Sequence, residues 1–179
     1  MDFSKIIRIR KSIRKFKPDK VPMDVIQTIL NAARKAPTWA NMQGVRYIVV
    51  TITELVQKLA DAIGQKWAKS APMFIVATNA ENRSGKNKNG LPYYMLDVGI
   101  CFDHLLLAAT DEGLGTCWVG YFDEKRVKDL LEIPENERVI AITPIGYPEE
   151  GYAPKNTTRK PLNEIARVND WNTSFEPKK

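Results

Sequence analysis

The sequence predicts a mixed helix and sheet protein with a sheet of about four strands and one long helix buried against it. Three observations carry this. Four short runs rich in β-branched residues fall near 45–50, 72–77, 116–122 and 139–145. Segments with helical apolar spacing lie between them. The stretch ICFDHLLLAA within 92–112 is too apolar on all sides for a surface helix.

Taken in order, residues 3–12 place Phe3, Ile6, Ile7 and Ile9 on a short amphipathic helix, and Pro18 and Pro22 mark a loop. Residues 23–35 repeat Val25, Ile26, Ile29, Leu30 and Ala33 at helical spacing, and Pro37 closes the element. Residues 37–44 form a polar loop around Trp39, and 45–50 read as the first strand. A helix is expected over 54–67 and a second strand over 72–77. Residues 81–90 are polar and glycine-containing, and by composition form the most mobile segment. The long helix over 92–112 is followed by a strand over 116–122. Asp123 then caps a short helix over 123–131, and a fourth strand covers 139–145. Residues 149–179 are polar and rich in Pro and Lys, with only Leu162, Ile165 and Trp171 to bury, a composition suited to packing on another subunit.

The chain has 179 residues, enough for one domain with its own core. Two cysteines and one histidine cannot close a structural zinc site of the usual cysteine/histidine kind, nor build a disulfide framework. No signal peptide follows Met1, and no apolar run is long enough to span a bilayer. These features predict a soluble protein of the reducing cytoplasm.

The formal charge of +6 is concentrated. Residues 1–20 hold eight Lys and Arg against Asp2 and Asp19, matching the whole excess. A solvated basic helix, a nucleic-acid arm and a phosphate cradle all fit such a stretch. The run Arg10-Lys11-Ser12-Ile13-Arg14-Lys15-Phe16 favours the cradle, because it mixes cations, a hydroxyl and apolar anchors.

Other constellations are weaker. Gly113-Leu114-Gly115 follows a helix and precedes a strand, the reverse of a Rossmann fingerprint, and Gly113 reads as a helix C-cap. Asp97, Cys101 and His104 share one helix face, but a buried core reading outweighs a metal or catalytic one. Asp97, near the start of a buried helix, must meet hydrogen-bond donors. A Ser-His-Asp arrangement, a P-loop and a zincin signature are all missing. Cations and amides that hold a ligand suit an enzyme whose cofactor does the chemistry. Asn41 and Gln43 can read a heterocycle edge, and Arg159-Lys160 adds cations late in the chain.

Four separated segments resemble the nitroreductase family of FMN-dependent oxidoreductases. They are Arg10 to Phe16, Ala36 to Gln43, Gly113 to Gly120, and Gly146-Tyr147-Pro148 with Arg159 to Leu162. The resemblance implies an α+β fold with a central, mainly antiparallel sheet of four to five strands and an entwined homodimer. It implies an FMN-binding domain over 1–166 and a tail over 167–179 that is packed on the partner or partly disordered.

By the same resemblance, Arg10, Lys11 and Ser12 hold the FMN phosphate and ribityl chain, and Arg14 supports the flavin N1 edge. Pro37, Thr38, Trp39, Asn41 and Gln43 line the flavin of the partner chain. Gly115, Thr116, Cys117 and Trp118 pass beside the isoalloxazine, and Arg159 closes on the phosphate. Gln65 and Lys66 are the candidates from the compact region 53–72. Trp39 and His104 depart from the family, where a small residue and an amide are frequent. The implied reaction uses NAD(P)H to reduce nitroaromatics, quinones or similar acceptors in two half-reactions, with no metal and no protein nucleophile. A flavin-binding sensor and a nucleic-acid module are the alternatives, and related members carry out reductive dehalogenation or flavin fragmentation.

Overall fold

The computed structural model describes residues 1–154 and 157–177. The chain runs α1 (Phe3–Ile9), α2 (Met23–Ala33), β1 (Arg46–Val50), α3 (Thr53–Ile63), β2 (Met73–Asn79), α4 (Tyr94–Asp111), β3 (Gly115–Thr116), α5 (Glu124–Leu131), β4 (Arg138–Gly146) and α6 (Leu162–Ile165). Short 3-10 turns sit at Trp39–Asn41, Lys66–Ser70 and Glu81–Arg83. The strands form one antiparallel sheet in the order β1-β2-β4-β3, so the fold is α+β as expected.

Helices cover both faces of the sheet. Met73, Ile75 and Ala77 of β2 pack with Ile26 and Ile29 of α2 and Val98, Phe102 and Leu105 of α4. The alternate residues Phe74 and Val76 pack with Val56, Leu59 and Ile63 of α3 and Val127 of α5. That two-sided burial explains why β2 is a continuous apolar run rather than an alternating one.

Caps set the ends of α4 and α5. Gly113 has φ +75°, and the Leu114 N–H donates to the Ala109 carbonyl at 2.8 Å while the Gly113 N–H donates to Thr110 at 3.1 Å. This is the Schellman pattern that ends α4. Asp123 caps α5 by accepting from the Arg126 N–H at 3.1 Å.

Several expected boundaries move. The helix expected over 3–12 stops at Ile9, and residues beyond it run extended beside the sheet. Ser12 bridges Thr116, the Ile13 N–H donates to the Thr116 carbonyl at 2.8 Å, and Phe16 bridges Pro148. The helix expected over 54–67 stops at Ile63, because Gly64 turns left-handed with φ +71°.

The strand expected over 116–122 is only Gly115–Thr116, and Pro144 accounts for the break. Thr116 pairs with Ile145, and the next residue of β4 is a proline with no N–H to offer. Pro144 cannot donate to the Cys117 carbonyl, the Cys117 N–H donates to the Thr143 hydroxyl at 3.1 Å, and pairing resumes only at the Val119–Ile142 bridge.

The loop 81–90 is built rather than loose. Asn87 Oδ1 accepts from the N–H groups of Asn89 and Leu91, each at 2.9 Å, and the Tyr93 N–H donates to the Gly85 carbonyl at 2.8 Å. Among the described residues, no helix is long and apolar enough to cross a membrane.

Candidate functional site

The extended segment after α1 brings the basic run to one place. Arg10, Lys11, Ser12 and Arg14 line a cavity of about 640 Å³ with Tyr152, Pro154, Thr157 and Arg159. Thus Arg159, some 150 residues downstream in sequence, meets the N-terminal cations as expected. Its guanidinium is steadied by the Thr157 hydroxyl at 2.8 Å. Four cations and the hydroxyls of Ser12, Tyr152 and Thr157 around one cavity form a donor set suited to a dianionic phosphate. The cavity lies in the range of small-molecule and cofactor sites.

Gly115, Thr116, Cys117 and Trp118 do not line this cavity, but β3 approaches the segment that does. A Cβ added at Gly115 would lie 2.8 Å from the Ile13 side chain, so only glycine lets β3 lie against residues 12–13. Thr116 and Cys117 are buried behind this contact. Burial pushes the Cys117 thiol up, while Arg14, Ser12 and Arg10 pull it down. Trp118 is partly exposed and meets Phe102 edge-on, with ring centroids 4.8 Å apart.

Gln65 and Arg14 connect through an aromatic ring. Arg14 stacks over Trp67 with its guanidinium carbon 5.7 Å from the ring centroid, and the Trp67 N–H donates to Gln65 Oε1 at 2.6 Å. Lys66 opens the 3-10 turn beside them and is exposed.

The loop 37–43 does not line this cavity. Thr38 and Gln43 line a separate apolar cavity of about 390 Å³ with Tyr47 and Cys101, and Trp39 lines a third of about 530 Å³ with Ser84, Gly85 and Lys86. Pro37 is exposed at the head of the loop, and Asn41 is exposed at its tip.

The loop is strained: Ala40, Asn41 and Gln43 have φ of 45°, 55° and 51°. Non-glycine residues in this region cost on the order of 1–3 kcal/mol each and persist only where surroundings hold them. The holding contacts are present. Thr38 Oγ1 accepts from the Gln43 N–H at 3.0 Å, and Arg46 donates to the Gln43 carbonyl at 2.9 Å. Asp97 Oδ1 accepts from the Trp39 N–H at 2.8 Å, and Arg83 Nε donates to the Gly44 carbonyl at 2.9 Å.

Asp97, Cys101 and His104 do not act as one cluster. Asp97 is spoken for by Trp39 and by the Ser84 hydroxyl at 2.6 Å. Cys101 faces the buried Tyr47 phenol. Burial, followed by the Cys101 charge, drives that phenol upward, so it stays neutral. Burial likewise raises the Cys101 thiol.

Sequence reasoning missed Trp67, Ser84 and Arg83. Ser84 and Arg83 lie in a loop whose composition suggests only mobility, and Trp67 falls at the end of an expected helix.

Fold and site together define an α+β protein with a cavity lined by four cations. The nitroreductase family model matches residues 7–73 and 62–147, and the chain belongs to the nitroreductase family of oxidoreductases. A nitroreductase family protein from Clostridium novyi NT is 36% identical, with TM-score 0.80, covering 98% of this chain and 97% of that one. An FMN-dependent nitroreductase from Clostridium difficile R20291 is 25% identical, with TM-score 0.78, covering 93% of this chain and 98% of that one. A Thermus thermophilus protein named NADH dehydrogenase is 28% identical over 189 residues, 87% of this chain and 90% of its own length. Relatives named iodotyrosine deiodinase, among them one from Nematostella vectensis at 25% identity over 194 residues, match as well.

Proposed function

We propose that this chain is an FMN-dependent NAD(P)H oxidoreductase of the cytoplasm that reduces nitroaromatics, quinones or similar acceptors. The observation that carries it is the meeting of Arg10, Lys11, Arg14 and Arg159 with the Ser12 and Thr157 hydroxyls around one cavity. Bound FMN supplies two-electron chemistry between the nicotinamide donor and the acceptor.

The chain's residues bind and bias. Arg10, Lys11 and Arg159 hold the phosphate, and the Ser12 hydroxyl adds a donor. Arg14 presents a cation to the pyrimidine edge, where negative charge collects on reduction, and a preorganised charge there favours that state. Gly115 to Trp118 bring backbone close to the ring system, and Trp39 walls the acceptor side.

The loop 37–43 serves the site of a partner chain in a homodimer. Two features support this: the loop stands apart from its own cradle, and Phe3, Ile7, Met95, Leu96, Ile165 and Trp171 are exposed. The segment 167–179 packs on that partner; its Lys178 and Lys179 lie outside the described residues.

Initial rates with donor and acceptor both varied test the reading. One shared pocket predicts parallel double-reciprocal lines, whereas intersecting lines mean that donor and acceptor bind together. Dilution to monomer should release FMN; a monomer that keeps its full flavin contradicts the dimer.

A further inference from the structure

We propose that Trp67 is a positioning residue for the flavin's electrostatics: a Gln65–Trp67 platform holds Arg14 at the pyrimidine edge without cancelling its charge. The inference rests on the placement of Arg14 given under the proposed function.

A cation that must act on a ligand needs an anchor. A carboxylate would fix Arg14 but would also neutralise its field. Among the described residues Arg14 pairs with no carboxylate, although the chain uses such pairs freely elsewhere, as in Lys58–Glu54 and Arg138–Glu124. Its anchor is the face of Trp67, at 5.7 Å. An aromatic quadrupole attracts a guanidinium while adding no net charge.

The ring is itself fixed. Trp67 is half-buried and packs on the core formed by α3, α5 and one face of the sheet. The indole N–H can only donate, so the Gln65 atom 2.6 Å away must be its carbonyl oxygen. That settles the amide's orientation and leaves the Gln65 NH₂ as the group available to a flavin carbonyl. Any bond Gln65 makes to the cofactor is therefore given from its NH₂, matching Arg14 in polarity.

The turn also explains why helix α3 cannot continue to Trp67, as the sequence suggests. Gly64 breaks it, and the 3-10 turn Lys66–Ser70 carries the indole to the Arg14 side chain.

The test is the two-electron midpoint potential of FMN in the loaded protein, with dissociation constants for oxidised and reduced FMN. Trp67→Leu should weaken reduced FMN about three- to tenfold more than oxidised FMN, the range expected for a cation–π contact. That ratio lowers the potential by about 15–30 mV. Trp67→Phe keeps an aromatic face and should move it by less than half as much. Trp67→Met fills comparable space without a π face, and should behave as Trp67→Leu if the latter fails to fold.

Equal effects of Phe, Leu and Met, an unmoved potential, or equal weakening of both redox states would overturn the platform. Arg14→Ala separates the two levels. If it shifts the potential while Trp67→Leu does not, the platform alone fails. If it leaves the potential of bound FMN unchanged, the placement of Arg14 fails with it.

Discussion

Asp97 Oδ1 accepts the Trp39 N–H at 2.8 Å, joining the start of the central helix to a loop 58 residues earlier. The other oxygen accepts the Ser84 hydroxyl at 2.6 Å. One buried carboxylate thus ties two loops together, and Gly85 completes the contact. A Cβ at Gly85 would lie 2.3 Å from the Trp39 ring, so the indole rests directly on backbone. Asp97→Ala orphans both donors. Hydrogen bonds to a charged group contribute about 1.5–3 kcal/mol, so the urea midpoint should fall by a loss of that order at least. Asp97→Asn keeps an acceptor for the Trp39 N–H and should lose less. Equal midpoints for the two variants would refute the tie.

A second buried carboxylate secures the other end of the same loop. Glu137 pairs with Arg83, whose Nη2 donates at 2.6 Å, and accepts the Thr78 hydroxyl at 3.0 Å. The Arg83 hydrogen bond holds the Glu137 carboxyl below its ordinary value of 4.5. A carboxyl depressed in the folded state adds stability above its unfolded value and loses it as pH falls toward the folded one. Stability should therefore drop below about pH 4.5. Glu137→Gln should cost about 3 kcal/mol at neutral pH, since it strands a partly buried cation. It should also flatten the acid dependence between pH 5 and 3, on the order of the window that linkage sets. Urea midpoints across that range decide, and an unchanged slope in the variant would contradict the assignment.

Arg10 lines the cavity proposed to hold the FMN phosphate. Arg10→Ala should weaken FMN binding by about 1.5–3 kcal/mol, the range for a hydrogen bond to a charged group. Fluorescence titration of flavin into apoprotein reads this directly, and an unchanged affinity removes Arg10 from the site.

Gly115 tests the floor of the cradle without altering charge. Gly115→Ala drives a methyl to within 2.8 Å of Ile13, which must move and take Ser12 with it. Overpacking of this kind costs about 1–3 kcal/mol, and FMN affinity should fall alongside stability. A variant that loses stability yet binds FMN normally would separate the floor from the site.

Much of this was legible in the residues. The apolar runs mark all four strands, Gly113 and Asp123 mark helix ends, and the basic run with Arg159 anticipates the cradle. The boundaries that moved did so for local reasons. Gly64 shortens α3, and Pro144 interrupts a strand that β-propensity alone extends to 122. Asp97 joins Trp39 and Ser84, a convergence set by tertiary packing, which no single segment encodes. Likewise Arg14 and Trp67 are 53 positions apart, and nothing in either segment signals their contact.

The Arg10–Arg159 cavity is proposed to hold FMN that a nicotinamide can reduce. The most direct measurement is an absorbance spectrum of the purified protein supplied with FMN, followed anaerobically by NADH and then NADPH. Protein-bound flavin bands should bleach on addition of one or both nucleotides, and recover when a nitroaromatic or quinone is added. Bands that persist with both donors would describe a flavin-binding protein without this reductase activity. A protein that retains no flavin would contradict the cradle itself.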